Sequence, residues 1–193
     1  PCAAKNIVAD YVILVDSSNA FETDQFAAIK SWLKTWTSAL TYSSSFSQVS
    51  FYSYGLKVVS SGPLSSNNNA AAVSAAVDKL AQQGTADRRL SDALVAQEAE
   101  VTAANGLRAN AEKVLVVIAG DSWSGDDIFS SNHLSLAKSK FDAVIVVAVG
   151  VQPIENGFLD FRKLAGGDND VFFAFDVSQL PYAGLFLYRN GCP

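Results

Sequence analysis

Charge is scarce in this chain of 193 residues: Asp, Glu, Lys and Arg make up 17% of it, and the net charge is −5. No basic cluster occurs, which argues against a surface that tracks phosphates and so against nucleic acid as a partner. No apolar run approaches the ~18 residues that a membrane helix needs, so no membrane insertion is expected. The single histidine, His133, lies on a predicted surface helix or its entry, and no His-based triad or zinc cluster can be assembled around it. Ser17 and Ser18 lack the flanking glycines of the Gly-x-Ser-x-Gly elbow, and neither Gly-x-Gly-x-x-Gly nor the P-loop pattern occurs. The absence of an Asn-x-Ser/Thr sequon neither supports nor excludes secretion.

Cysteine is nearly absent too. The pair Cys2 and Cys192 frames the chain. Termini of compact domains often lie close together, so a disulfide between them is the natural reading. Such bridges persist in oxidising compartments, which points to an extracellular or secreted protein, and the start at Pro1 predicts a mature or excised module.

Apolar residues fill 49% of the sequence, and the length suits one α/β domain over 1–193 burying about 70% of its unfolded surface. Tyr11 to Val15 reads as a buried strand. Phe26, Ile29, Leu33, Trp36 and Leu40 then recur at helical spacing. Residues 46–54 and 56–60 read as strands joined at Gly55, which places one antiparallel edge strand on the sheet. Helices are predicted over 70–80 and 91–105, with Ser91 as N-cap of the second and Gly106 beyond its end. The runs 113–119 and 143–149 are apolar on both faces, as central parallel strands are. Helices over 131–140 and 156–165, a strand over 171–175 and a closing helix over 178–189, with Pro181 in its first turn, complete the order. This demands an α/β fold: an open, mostly parallel, Rossmann-like sheet of about six strands with helices on both faces.

Ligands of such sheets bind beyond the carboxyl ends of the strands. Three loops should meet there: Asp16 to Phe21, Gln82 to Ser91, and Gly120 to Asp127. Asp16 and Ser18, an acid and a hydroxyl at the end of a buried strand, look like part of an oxygen-ligand site; Asp16 as a simple helix cap is the competing reading. Trp123, among Asp121, Ser122, Ser124 and Gly125, has little local apolar cover and reads as an exposed binding anchor, with Arg88 and Arg89 beside it.

The Asp-x-Ser after a buried strand, together with the order of elements, resembles a von Willebrand factor A domain, a family that shares its fold with the integrin I domains. The resemblance implies a metal-ion-dependent adhesion site built from Asp-x-Ser-x-Ser, a Thr in a later loop and an Asp after a middle strand. Asp16 and Ser18 match its first two positions, whereas Ala20 stands at the third. Aligning Ala93-Leu94 with the family's Ala-Leu puts Arg88 at the threonine position, with Thr85 three residues too early. Gly120-Asp121 replaces the family's Asp-Gly, moving the carboxylate one residue along, while Asp126 and Asp127 echo acids that follow that loop. These departures predict weak or absent binding of Mg2+ or another divalent cation. A non-standard site of Asp16, Ser18, Thr85 and Asp121 would form only if Thr85 and Asp121 turn inward. The resemblance implies a non-enzymatic adhesion module that binds a protein or extracellular-matrix ligand through this edge. A structural spacer in a larger secreted protein and an α/β hydrolase-like enzyme are the alternatives, and the sequence carries no signal for an oligomeric state.

Overall fold

The computed structural model describes residues 3–125, 128, 129 and 131–189. The termini that carry Cys2 and Cys192, and the acids Asp126 and Asp127, lie outside the described residues.

Six strands form one sheet in the order β3-β2-β1-β4-β5-β6. They are β1 (Ala9–Asp16), β2 (Gln48–Tyr54), β3 (Val58–Ser60), β4 (Glu112–Ala119), β5 (Ala143–Val149) and β6 (Val171–Ala174). Every pairing is parallel except β2 with β3, whose antiparallel register sets Tyr54 opposite Val58. The helices are α1 (Thr23–Ser38), α2 (Ala70–Lys79), α3 (Leu90–Glu100), α4 (Asn132–Lys140), α5 (Gln152–Asn156), α6 (Phe158–Leu164) and α7 (Leu180–Tyr188). The mostly parallel α/β sheet with one antiparallel edge strand is therefore the fold that the apolar runs predict.

Period-two side chains on the central strands feed two cores. Tyr11, Ile13 and Val15 of β1 join Val114, Val116 and Ile118 of β4 under α1, α2 and α7. Val12 and Leu14 join Leu115 and Val117 on the other face, under α3, α4 and α6. All eight residues of β1 are buried. Burying an aliphatic side chain of this size stabilises by roughly 1.5–3 kcal/mol, so the central strands hold the sheet and fix its register.

Six residues separate the end of β1 from the start of helix α1, with Glu22 as N-cap and Gln25 closing a capping box, its Oε1 accepting from Glu22 N at 2.9 Å. Asp16 is thus not a helix cap, in contrast to the simpler of the two sequence readings. Trp32 and Trp36 of this helix are buried, and Trp36 packs edge-on to Tyr11 and stacked on Tyr188 of α7.

Several boundaries differ from the sequence pattern. The helix expected over 156–165 is two, α5 and α6, because Gly157 takes a non-helical ψ of 7° at φ −133° and serves as C-cap of one and N-cap of the other. Helix α3 begins at Leu90, with Arg89 rather than Ser91 at the N-cap, and ends at Glu100; a separate 3-10 turn follows over Ala103–Asn105. The closing helix is likewise preceded by a 3-10 turn, Val177–Gln179.

Candidate functional site

The loops after β1, before α3 and after β4 converge at the carboxyl edge. Asp16, the last residue of β1, is fully buried. Its Oδ1 accepts from Ser18 N at 2.9 Å and its Oδ2 from Gly120 N at 3.2 Å, so the carboxylate pins the first loop to the third. Burial pushes the Asp16 carboxyl above its ordinary range, against the opposing pull of the Ser18 and Gly120 hydrogen bonds and of the Arg88 charge. Ser18 Oγ accepts from Ala20 N at 3.1 Å, a local turn contact.

The second loop is stitched to the first. Ser17 O accepts from Gln83 N at 2.7 Å and Gly84 N at 3.1 Å, and Asn19 N donates to Thr85 O at 2.8 Å. Gln83 Nε2 donates to Ser17 Oγ at 3.0 Å, while Gln82 Nε2 donates to Phe21 O at 2.6 Å. Ser17 Oγ in turn donates to Tyr54 O at 2.9 Å, so its proton is committed to the backbone of β2. These two glutamines hold the site together, and the sequence pattern does not single them out. The dipeptide Gln82-Gln83 before Gly84 is a weak signal for a loop that must satisfy foreign backbone groups.

The second loop meets the third through Arg88. Its backbone N donates to Ser124 Oγ at 2.8 Å and its carbonyl accepts from Ser124 N at 2.9 Å. The guanidinium turns inward: Nε donates to Ser122 O at 2.5 Å, and an Nη lies 3.5 Å from Asp121 Oδ2. Asp121 Oδ1 also accepts from Ser122 N at 2.7 Å and from Asn156 Nδ2 of α5 at 3.2 Å. Arg89 points out instead, its side chain 46% exposed and 3.6 Å from Asp87. Arg89, Asp87, Ser91, Asp92, Ser124 and Gly125 line a shallow recess of about 290 Å³.

Trp123 is not the uncovered anchor that its polar neighbours suggest. It is half-buried and packs T-shaped against Phe129 at 5.4 Å and Phe161 of α6 at 5.8 Å. His133, on α4, sits 2.9 Å from Glu98 through Nδ1 with its side chain 38% exposed.

The edge does not fit a complete divalent-cation site. Both Asp16 oxygens are engaged by backbone N–H groups. A Cβ on Gly120 would lie 2.8 Å from the Phe21 ring and 3.0 Å from Ala20 Cβ, so the space for a carboxylate there is filled. Asp121 faces a guanidinium rather than open coordination space. Thr85 Oγ1 is buried and has no hydrogen-bond partner among the described residues.

With this geometry in place, three comparisons bear on kinship. Residues 10–183 match the family model of the von Willebrand factor type A domain. A search of curated proteins finds no match. Among solved structures, one crystal form of proximal thread matrix protein 1 from the mussel byssus superposes with a TM-score of 0.84 at 14% identity, over 97% of this chain and 49% of that one. Another structure of the same protein, described as having a zinc-occupied MIDAS motif (the family's metal-ion-dependent adhesion site), gives 0.83 at 15% identity, over 97% and 48%. The chain therefore spans about half the length of the solved structures it matches, and at this identity they speak for the fold alone.

Proposed function

The chain belongs to the von Willebrand factor type A domain family, and from that membership we propose that it is a single-domain, extracellular, non-enzymatic module. It binds a protein of the extracellular matrix through the loops at the carboxyl edge of its sheet. One observation carries the reading: loops 17–22, 82–89 and 120–125 are locked into a single polar surface by hydrogen bonds that cross between them. A preorganised surface loses little entropy on binding, which is what a recognition site requires. The exposed Arg89 and Asp87 offer charged groups around the 290 Å³ recess, where a partner's polar side chains can pair. The byssus matrix protein that shares the fold supports a matrix setting. The framing cysteines, read as a Cys2–Cys192 disulfide, support an oxidising compartment.

The test is binding to a panel of purified matrix proteins, immobilised one at a time. At least one should bind the wild type, and Asp87→Lys with Arg89→Glu should weaken it tenfold or more while the fold, followed by circular dichroism, is unchanged. Leu185→Ser, at an exposed side chain of α7, should leave binding intact. Loss with the α7 variant but not with the loop variant would overturn the assignment of the edge.

A further inference from the structure

Arg88 turns its guanidinium into the edge. Its side chain is 18% exposed, its Nε is spent on Ser122 O at 2.5 Å, one Nη reaches Ala86 O at 3.2 Å, and another faces Asp121 at 3.5 Å. Its backbone is held at both polar atoms by Ser124, so the side chain starts from a fixed point. Burial pushes the Asp16 carboxyl and the Tyr54 hydroxyl up, and the Arg88 charge opposes that push in both. Asp16, fully buried, receives hydrogen bonds from the neutral backbone N–H groups of Ser18 and Gly120 and from the Ser18 side chain. A buried carboxylate in that position calls for a countercharge, and a guanidinium is always charged, planar and less strongly hydrated than an ammonium.

The loop before α3 also carries an orphan hydroxyl. Thr85 Oγ1 is buried and unpartnered among the described residues, and Thr85 is tied to the Asp16 loop by the 2.8 Å bond from Asn19. Two acids, Asp16 and Asp121, and two hydroxyls, Ser18 and Thr85, are the hard oxygen donors that Mg2+ or Mn2+ takes. Of these four, Asp121 meets the guanidinium directly, at 3.5 Å.

We propose that the Arg88 guanidinium is the resident cation of this edge, standing where a divalent ion would otherwise balance Asp16 and Asp121. The edge is a latent metal site closed by its own arginine. Like charges exclude each other at this separation, so ion and guanidinium compete for one position. The surface consequently presents its loops without metal, and chelation leaves them unchanged. The inference takes only the location of the edge from the interaction reading, and its test reads metal rather than a partner, so each can fail without the other.

The experiment is calorimetric titration of the whole chain with Mg2+, Mn2+ and Zn2+. Wild type should show no saturable binding tighter than millimolar. Arg88→Thr, which removes the charge and adds a hydroxyl, should bind Mn2+ at least tenfold tighter, and adding Asp16→Ala should abolish the gain. Arg88→Lys, which keeps a cation, should behave as wild type. If Arg88→Thr unfolds in EDTA, recovery of its circular dichroism on adding Mn2+ supports the proposal and failure to recover at several millimolar opposes it. Submillimolar binding by wild type, or a folded Arg88→Thr that binds no tighter than wild type, would overturn it.

Discussion

Arg88 and Asp121 meet at 3.5 Å with side chains 18% and 17% exposed, and this pair joins the loop before α3 to the loop after β4. Arg88 stands at the position of the family's threonine, and Asp121 one residue beyond that of the family's aspartate. A half-buried ion pair gains more from Coulomb attraction than a surface one, and it orients both loops at once. Asn156 of α5 reaches the same carboxylate at 3.2 Å, so the third loop is also fastened to β5's side of the sheet.

Trp123 should behave as a structural residue. Its T-shaped contacts with Phe129 and Phe161 make Trp123→Ala costly, about 2–4 kcal/mol in urea denaturation, and Trp123→Phe should recover more than half of that. An unchanged denaturation midpoint in Trp123→Ala would mean that the ring is dispensable to the fold.

Gly120 is required by close approach. With Phe21 2.8 Å from a Cβ at this position, Gly120→Ala should destabilise by about 1–3 kcal/mol. Phe21→Ala should absorb part of that cost, seen as coupling in a double-mutant cycle. Strict additivity of the two changes would contradict the packing described.

The far edge of the sheet carries its own buried charge. Asp10 is fully buried and accepts from Arg108 N at 2.7 Å, Arg108 Nε at 2.9 Å and Gln48 Nε2 at 3.0 Å. Asp10→Ala leaves the Arg108 guanidinium with carbonyl partners but no countercharge and should cost about 3 kcal/mol. Replacing Arg108 and Asp10 together should cost less than the sum of the single changes.

The disulfide reading makes a separate prediction. Closing almost the whole chain into one loop is worth at most roughly 5 kcal/mol in the loop-entropy model. Non-reducing peptide mapping of the folded, oxidised protein should recover Cys2 and Cys192 in one linked fragment. Alkylation of both thiols under native conditions would remove the bridge and weaken the extracellular reading with it.

The strands were legible because their signal is local. Val114 to Ala119 and Ala143 to Val149 are apolar at every position, and only a strand buried on both faces uses such a run. Helix ends were less so, since the break at Gly157 depends on how one residue's backbone satisfies two helices. At the edge, Asp16, Ser18 and Asp121 could be placed from strand ends, and Arg88 from the family resemblance of Ala93-Leu94. Trp123 could not, because its cover comes from Phe161, on a helix beyond β5. Nor could Gln82 and Gln83, whose value lies in carbonyl and hydroxyl groups of a loop more than sixty residues away.

Hydrogen exchange in the presence of a bound matrix protein tests the central claim most directly. The account predicts slowed exchange confined to loops 17–22, 82–89 and 120–125, with the helices of both faces unchanged. Protection of α1 and α7, with those three loops exchanging as in the unbound chain, would contradict it.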